Sequence, residues 1–248
     1  MPDWLGLSGR RVAVAGGYGT IGRALVDGFA DAGARVAVID LDGSPPDQPG
    51  AADVLFRPAD LTDPDACRTV VEDVAEALGG IDVFVHSAGI NDRRPIEDYA
   101  PDDWRKIIDV NASSAFWTMQ AVLPRMRAQG YGRIVLFSSV AGRSGHKHHA
   151  PYAASKGAIN QVVRVAANEY AAHGVTINAV APGYMDTTLT RAYLEDHPEV
   201  RARLVDLIPA QRFGRLEEVV GPVLFLASDQ ASFVNGQILY IDGGRTVV

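Results

Sequence analysis

The sequence predicts one doubly wound α/β domain, a parallel sheet of about seven strands with helices on both faces. Three observations predict it. Short apolar runs alternate with helical stretches from end to end of the 248 residues. The runs are continuously apolar, which suits strands covered on both faces. A glycine-rich turn joins the first run to the first helix. No internal boundary, repeat or low-complexity segment divides residues 1–248. The chain is long enough to bury a substantial core, and 47% hydrophobic with 21% charged residues is the balance of an ordinary globular protein. A net charge of -7 argues against a nucleic-acid surface. The single cysteine, Cys67, allows neither an internal disulfide nor a cysteine metal site, and fits a reducing cytoplasm. No secretory signal is expected at the start, and the apolar stretches are too short to span a bilayer.

The elements follow in order. Residues 11–15 are a β-branched and alanine run ending in glycines, a buried strand entering a tight turn. Residues 20–32 carry Ile21, Ala24, Leu25 and Phe29 at helical spacing, and Gly33 closes the helix. Residues 34–39 are a second strand ending at Asp40; residues 43–50, rich in Pro, Gly and Asp, are a loop. A third strand at 54–58 precedes Asp60 and Leu61. Residues 63–78 form an amphipathic helix with Thr62 as its expected N-cap. Then come a strand at 81–86, a long helical region at 101–128, a strand at 133–137, a second long helix at 151–173 and a strand at 175–180. Residues 184–207 are polar and irregular, 217–227 are helical, and 237–241 are the last strand. Trp104 and Trp117 lie on a helical face and are expected in the core. Arg125 and Arg127 read as a solvated helix end, or as a docking patch for an acidic carrier protein.

Ligands of such sheets bind beyond the carboxyl ends of the strands. Gly16, Asp40, Asp60, Ala88, Ser139 and Pro182 all follow strand ends, so the candidate site lies along one edge. In Ala15-Gly16-Gly17-Tyr18-Gly19-Thr20-Ile21-Gly22 the glycines let the backbone approach a pyrophosphate at a helix N-terminus; a tight turn with no ligand is the alternative. Asp40, about eighteen residues further on, is placed to accept ribose hydroxyls. It would repel a 2′-phosphate by roughly 4 kcal/mol per charge pair at ~4 Å and an effective dielectric near 20. Its neighbours Leu41 and Asp42 are not basic, so NAD is expected in preference to NADP.

Tyr152 and Lys156 are four apart and share a helix face. An ammonium beside a phenol favours the ionised form. Bringing a phenol from ~10 to near neutrality takes roughly 4 kcal/mol, from that charge plus a positive cofactor ring. The plain alternative is a surface helix with an ordinary Tyr and Lys.

Taken together these motifs resemble the short-chain dehydrogenase/reductase family, whose Rossmann-type fold the elements match over nearly the whole chain. The family's glycine motif falls on Ala15 to Gly22, its aspartate after the third strand on Asp60, its NNAG on His86-Ser87-Ala88-Gly89, and its catalytic asparagine on Asn111. Its catalytic serine falls on Ser139 and its YxxxK on Tyr152 and Lys156. The resemblance implies that Tyr152 is the general acid or base, Lys156 lowers its pKa and binds the nicotinamide ribose, Ser139 orients the substrate oxygen, and Asn111 holds a water of a proton relay. It places Gly16, Gly19, Thr20, Ile21, Asp40, Asp60, Leu61, Ala88, Gly89, Pro182, Gly183, Met185 and Thr187 at the cofactor, with Tyr152 and Lys156. It also implies a homotetramer paired through the helices at 101–128 and 151–173, with Ile107, Val110, Phe116, Val162 and Val165 as apolar positions. The sequence departs from the motifs at Ala15 for threonine, Thr20 for the middle glycine, and His86 and Ser87 for two asparagines. A β-branched Thr20 does not readily take φ > 0, so either the turn needs none there or Gly19 absorbs it.

Within the family, residues 91–97, 182–185 and 208–214 resemble gluconate 5-dehydrogenases and ketodeoxygluconate dehydrogenases. This implies a sugar, polyol or sugar-acid substrate. Arg94 is the candidate to fork its carboxylate, with a loop arginine as the plain alternative. His146 and His148, between Ser139 and Tyr152, and Tyr184 are expected at the substrate, the histidines as pocket wall, solvated loop or metal ligands; no metal is expected. Residues 184–207, including Met185, Leu189 and Tyr193, are expected to form a lid. Other readings are a 3-oxoacyl thioester reductase, against which Asp40 counts, a dehydrogenase of cyclic or hydrophobic alcohols, and a non-catalytic NAD-binding regulator, which would not need the four catalytic positions to be filled.

Overall fold

The computed structural model describes residues 3–41, 54–187 and 196–248. The predicted loop at 43–50, and Leu189 and Tyr193 of the predicted lid, lie outside the described residues. The elements run β1 (Arg11–Ala15), α1 (Thr20–Asp31), β2 (Arg35–Asp40), β3 (Leu55–Pro58), α2 (Pro64–Leu78), β4 (Val83–His86), α3 (Pro101–Ile108), α4 (Ser114–Gln129), β5 (Gly132–Phe137), α5 (Ala150–Tyr170), β6 (Val175–Pro182), α6 (Pro198–Asp206), α7 (Glu217–Leu226) and β7 (Ile238–Ile241).

All seven strands join one parallel sheet in the order β3-β2-β1-β4-β5-β6-β7. The chain steps outward from β1 to β3, then returns to lay β4 against the other side of β1. Ala15, the last residue of β1, pairs with Ile39 on one side and His86 on the other. The order therefore reverses at the glycine turn, where an open α/β sheet leaves its ligand crevice.

Side chains alternate across each strand. Val12, Val14, Val36, Val38, Val83 and Val85 face α1 and α7, meeting Leu25, Phe29, Val219 and Val223. Ala13, Ala37, Phe84, Ile134 and Ile177 face α2, α4 and α5, meeting Val74, Met119, Val122 and Val163. Each fully buried aliphatic side chain is worth roughly 1.5–3 kcal/mol, so both layers hold the strand ends beneath the site firmly in place.

Two local expectations are corrected. The N-cap of α2 is Asp63, whose carboxylate accepts from Asp65 N at 2.8 Å. Thr62 instead donates from N and Oγ1 to Asp60 Oδ1 at 2.9 and 2.7 Å. The region at 101–128 is not one helix: a π-turn, Asp109–Ser113, separates α3 from α4 and contains Asn111. Trp104, expected in the core, is 45% exposed, and Ile107, expected at a subunit contact, is buried.

Candidate active site

The glycine turn is built by close approach. Gly16 has φ 75°, and a Cβ on it would sit 2.4 Å from Ala88 N; one on Gly22 would sit 2.0 Å from Gly16 O. No side chain fits either position, so the backbone lies low at the crevice. Gly19 has φ -65° and caps α1, and Thr20 is the first helical residue. The turn needs positive φ at neither, which is why threonine is tolerated there. Ser87, standing for a motif asparagine, donates to Ala15 O at 2.9 Å and ties the end of β4 to the turn.

Two cavities open along this edge. One, of about 370 Å³, is lined by Gly16, Gly19, Asp40, Asp60, Leu61, Ala88 and Gly89 among others. The Asp40 carboxylate is held by the turn itself, accepting from Tyr18 N at 3.0 Å and Leu41 N at 2.8 Å. The second, of about 430 Å³, is lined by Ile21, Gly89, Pro182, Gly183, Met185 and Thr187 together with Ser139, Tyr152 and Lys156. Ser87, Gly89 and Ile90 line both. The cofactor residues expected from the sequence thus line one groove over the β1/β4 switch point, with Thr20 at the α1 N-terminus beside it. A side-chain-free backbone cradle, a helix N-terminus and a carboxylate at the end of β2 are the features an extended dinucleotide requires; the residues fit such a group.

Ser139 follows β5, and its Oγ accepts from Ala141 N at 3.2 Å. Tyr152 and Lys156 lie one turn apart near the start of α5. The Lys156 ammonium is buried, donates to Phe137 O at 2.8 Å and stands 5.6 Å from the centroid of the Tyr152 ring. Burial lowers its pKa to about 8. The Tyr152 phenol is shifted upward, burial being the largest cause; a hydrogen bond with Ser139 and the charge of Arg93 act in the opposite direction. In the protein alone, desolvation outweighs the charges around the phenol; the expected shift toward neutrality counts a positive cofactor ring beside the ammonium. Asn111 is fully buried. Its Nδ2 donates to Ile90 O at 2.9 Å and Ser155 Oγ at 3.1 Å, and its Oδ1 accepts from Ile90 N at 2.7 Å.

The substrate candidates divide. Tyr184 lines the larger cavity. His146 stacks on Tyr184 with ring centroids 6.4 Å apart and stands edge-on to His149 at 5.9 Å; His149 in turn meets Tyr152 at 6.1 Å. His148 points outward, exposed and with φ 65°, and is not a wall of the cavity. Arg94 is not the free arginine expected: it pairs with Asp92 and with Asp103 at 2.8 Å, over the ring of Tyr99. Arg93 lines the cavity instead. Asp92 and Asp103 occupy Arg94, so its neighbour is left for the pocket, and nothing in the sequence alone distinguishes the two. Sequence reasoning also missed Ile90, Asn91, Phe137 and Leu204, which line the same cavity. Part of the predicted lid is described: Met185 bridges to Gly214, and Tyr184 packs with Leu204, Val205, Ile208 and Phe213. Among the described residues no cluster of three or more His, Cys, Asp or Glu side chains is placed to hold a metal ion, and no helix is long and apolar enough to cross a membrane.

A parallel sheet with this turn at its switch point, and a serine, tyrosine and lysine in the adjoining cavity, is the framework of a nicotinamide-dependent oxidoreductase. A family model described as enoyl-(acyl carrier protein) reductase matches residues 16–246. A gluconate 5-dehydrogenase of Gluconobacter oxydans is 37% identical, covering 99% of this chain and 98% of its own. A 3-oxoacyl-(acyl-carrier-protein) reductase of Salmonella typhimurium is 33% identical over 98% of this chain and all of its own. A gluconate 5-dehydrogenase of Burkholderia cenocepacia, solved in complex with NADP and tartrate, superposes with a TM-score of 0.90 at 34% identity, covering 99% of this chain and 98% of that one. The chain belongs to the short-chain dehydrogenase/reductase family, as its motifs imply, and is an oxidoreductase of CH–OH groups that uses NAD(P).

Proposed function

We propose that the protein interconverts a secondary alcohol and a ketone on a sugar-acid substrate, with NAD preferred over NADP. One observation carries the substrate class. Arg93 and Lys156 line the larger cavity and no carboxylate does among the described residues. A carboxylate-bearing substrate answers that imbalance, Arg93 supplying a fork for it. His146, whose Nε2 is buried without a hydrogen-bond partner among the described residues, stands behind Tyr184 on the same side. Asp40 supports NAD: a 2′-phosphate at the end of β2 would meet its negative charge.

Bound in the groove, a nicotinamide supplies or takes up the hydride. The protein manages the proton. With its pKa raised, the Tyr152 phenol is protonated at neutral pH, ready to give its proton to the oxygen of a ketone being reduced. Alcohol oxidation requires the phenolate, which the Ser139 hydrogen bond and the charge of Arg93 stabilise. Ser139 Oγ also fixes the substrate oxygen beside the phenol. Oxidation therefore speeds up, and reduction slows, as pH rises through the phenol's pKa.

Fluorescence titration with NADH and NADPH, then a panel of gluconate, polyols, cyclic alcohols and 3-oxoacyl thioesters, tests the reading. Tighter NADH binding and turnover of gluconate are expected. The 3-oxoacyl reductase is the second reading, favoured by the Salmonella relative and by the apolar side of the cavity at Tyr184, Met185 and Leu204, which Phe213 backs. NADPH-dependent thioester reduction without gluconate turnover would replace the first reading with it. We also infer self-association through α4 and α5, which expose Phe116 and Val165; a monomer by light scattering would refute it.

A further inference from the structure

His86 stands where the family motif carries an asparagine, and nothing in the mechanism above uses it. It ends β4, is 1% exposed, and is engaged at both ring nitrogens. Nδ1 lies 3.1 Å from Thr118 Oγ1, and Nε2 lies 3.0 Å from Ser114 Oγ. Both hydroxyls belong to α4, in the two turns after the π-turn that contains Asn111. Ser114 N closes the wide turn by donating to Asp109 O, and Ser114 Oγ donates to Val110 O at 2.6 Å, a carbonyl inside it.

The donors and acceptors assign a direction to this chain. Burial, then the charge of Lys156, lowers the imidazole pKa to about 3, so the ring is neutral and owns a single N–H. The short bond to Val110 O commits the Ser114 proton, so Nε2 brings the N–H to Ser114 Oγ. Nδ1 is then left to accept from Thr118, whose hydroxyl it shares with Ser114 O at 2.8 Å. Assigned in this way, the network runs from His86 through Ser114 into the π-turn. From there the Asn111 side chain reaches Ile90 and Ser155, and Ser155 Oγ donates to Tyr152 O at 2.7 Å.

We propose that His86 is a positioning residue: clamped between Ser114 and Thr118, its imidazole holds the π-turn in the register that delivers Asn111 to Ile90 and Ser155. A wide turn costs backbone energy unless a tertiary contact favours it, and such turns concentrate at functional sites. His86 supplies that contact from the sheet. Asparagine, with one amide donor group and one acceptor, offers the same pair of functions as the neutral ring. A leucine fills similar space and offers neither.

The proposal rests on the reading of Asn111 as part of the catalytic set, and the experiment separates the two. His86→Leu, His86→Asn and Ser114→Ala are assayed for gluconate oxidation with NAD, each also in an Asn111→Ala background. His86→Leu is expected to lower kcat about 10-fold with KM within about twofold. His86→Asn should stay within about threefold of wild type. The leucine effect should vanish once Asn111 is gone, as coupled sites require. Independently of activity, hydrogen exchange in His86→Leu should accelerate over residues 107–118 and remain unchanged over 119–129. Ser114→Ala keeps the histidine and removes the link from the helix side, so it answers for a leucine variant that fails to fold. Losses that add in the Asn111→Ala background, a kcat within twofold of wild type for His86→Leu, or exchange raised equally along α4 would each overturn the proposal. If Asn111→Ala is itself fully active, the catalytic reading of Asn111 fails, and the exchange experiment still decides whether His86 sets the turn.

Discussion

The two walls of the larger cavity are built differently. On one, Ser139, Tyr152 and Lys156 line it from the end of β5 and from α5, with Asn111 of the π-turn bonded to Ser155 of the same helix, and three of the four are fully or nearly buried. On the other, Arg93 and Tyr184 line it from connections between elements, with His146 stacked on Tyr184 and His149 edge-on to Tyr152 outside the lining. The first wall is cross-bonded at nearly every polar atom. On the second, Arg93 is exposed and the His146 Nε2 has no partner among the described residues. A rigid wall suits a reaction that tolerates little misplacement. A wall of loops suits recognition, because its side chains can change without disturbing the sheet. On the proposed function, the reaction falls to the first wall and the choice of substrate to the second.

Substitution should separate the walls cleanly. Tyr152→Phe removes the phenol to which the proposed proton transfer is assigned and should cut kcat by about 1,000-fold or more, with NAD affinity nearly unchanged. A variant keeping a tenth of wild-type kcat would end the assignment. Next in size is Arg93→Ala: losing a charged hydrogen bond of about 1.5–3 kcal/mol should raise KM for an acidic substrate roughly 10- to 100-fold, at similar kcat. Arg94→Ala should leave KM alone, since its guanidinium serves Asp92 and Asp103. Equal effects from the two arginines would erase the distinction between them.

The rigid wall was legible in the sequence and the loop wall only in part: Tyr184 lines the cavity as expected, while Arg94 and His148 do not. Every strand was readable because a covered parallel strand is a short apolar run, and Val12, Val36, Val83 and Val135 each announce one. Ser139, Tyr152 and Lys156 could be matched because they sit at fixed spacings on regular elements. The π-turn was invisible, since its support comes from side chains far apart in sequence. So was the direction of the Tyr152 shift: helical spacing puts an ammonium near a phenol, and only packing reveals that desolvation wins. Choosing Arg94 over Arg93 failed for a similar reason, because adjacent arginines differ in nothing but the side of the chain they face.

The smallest effect tests whether the rigid wall has a thermodynamic cost. Lys156 ionises at about 8 in the fold against 10.5 unperturbed, a penalty of about 3 kcal/mol for carrying the charge in the folded state. Below pH 8 both folded and unfolded chains hold the proton, so the penalty is present in full. Between 8 and 10.5 the unfolded chain binds more protons than the folded one, so stability rises with pH and the penalty disappears. Lys156→Met should therefore be inactive and yet melt a few degrees higher at pH 7, after about 1 kcal/mol is lost with the bond to Phe137 O. At pH 10.5 that advantage should be gone or reversed. Calorimetry of both proteins at the two pH values reads this directly. A melting advantage that persists unchanged at high pH would mean that packing, and not the buried charge, sets the difference.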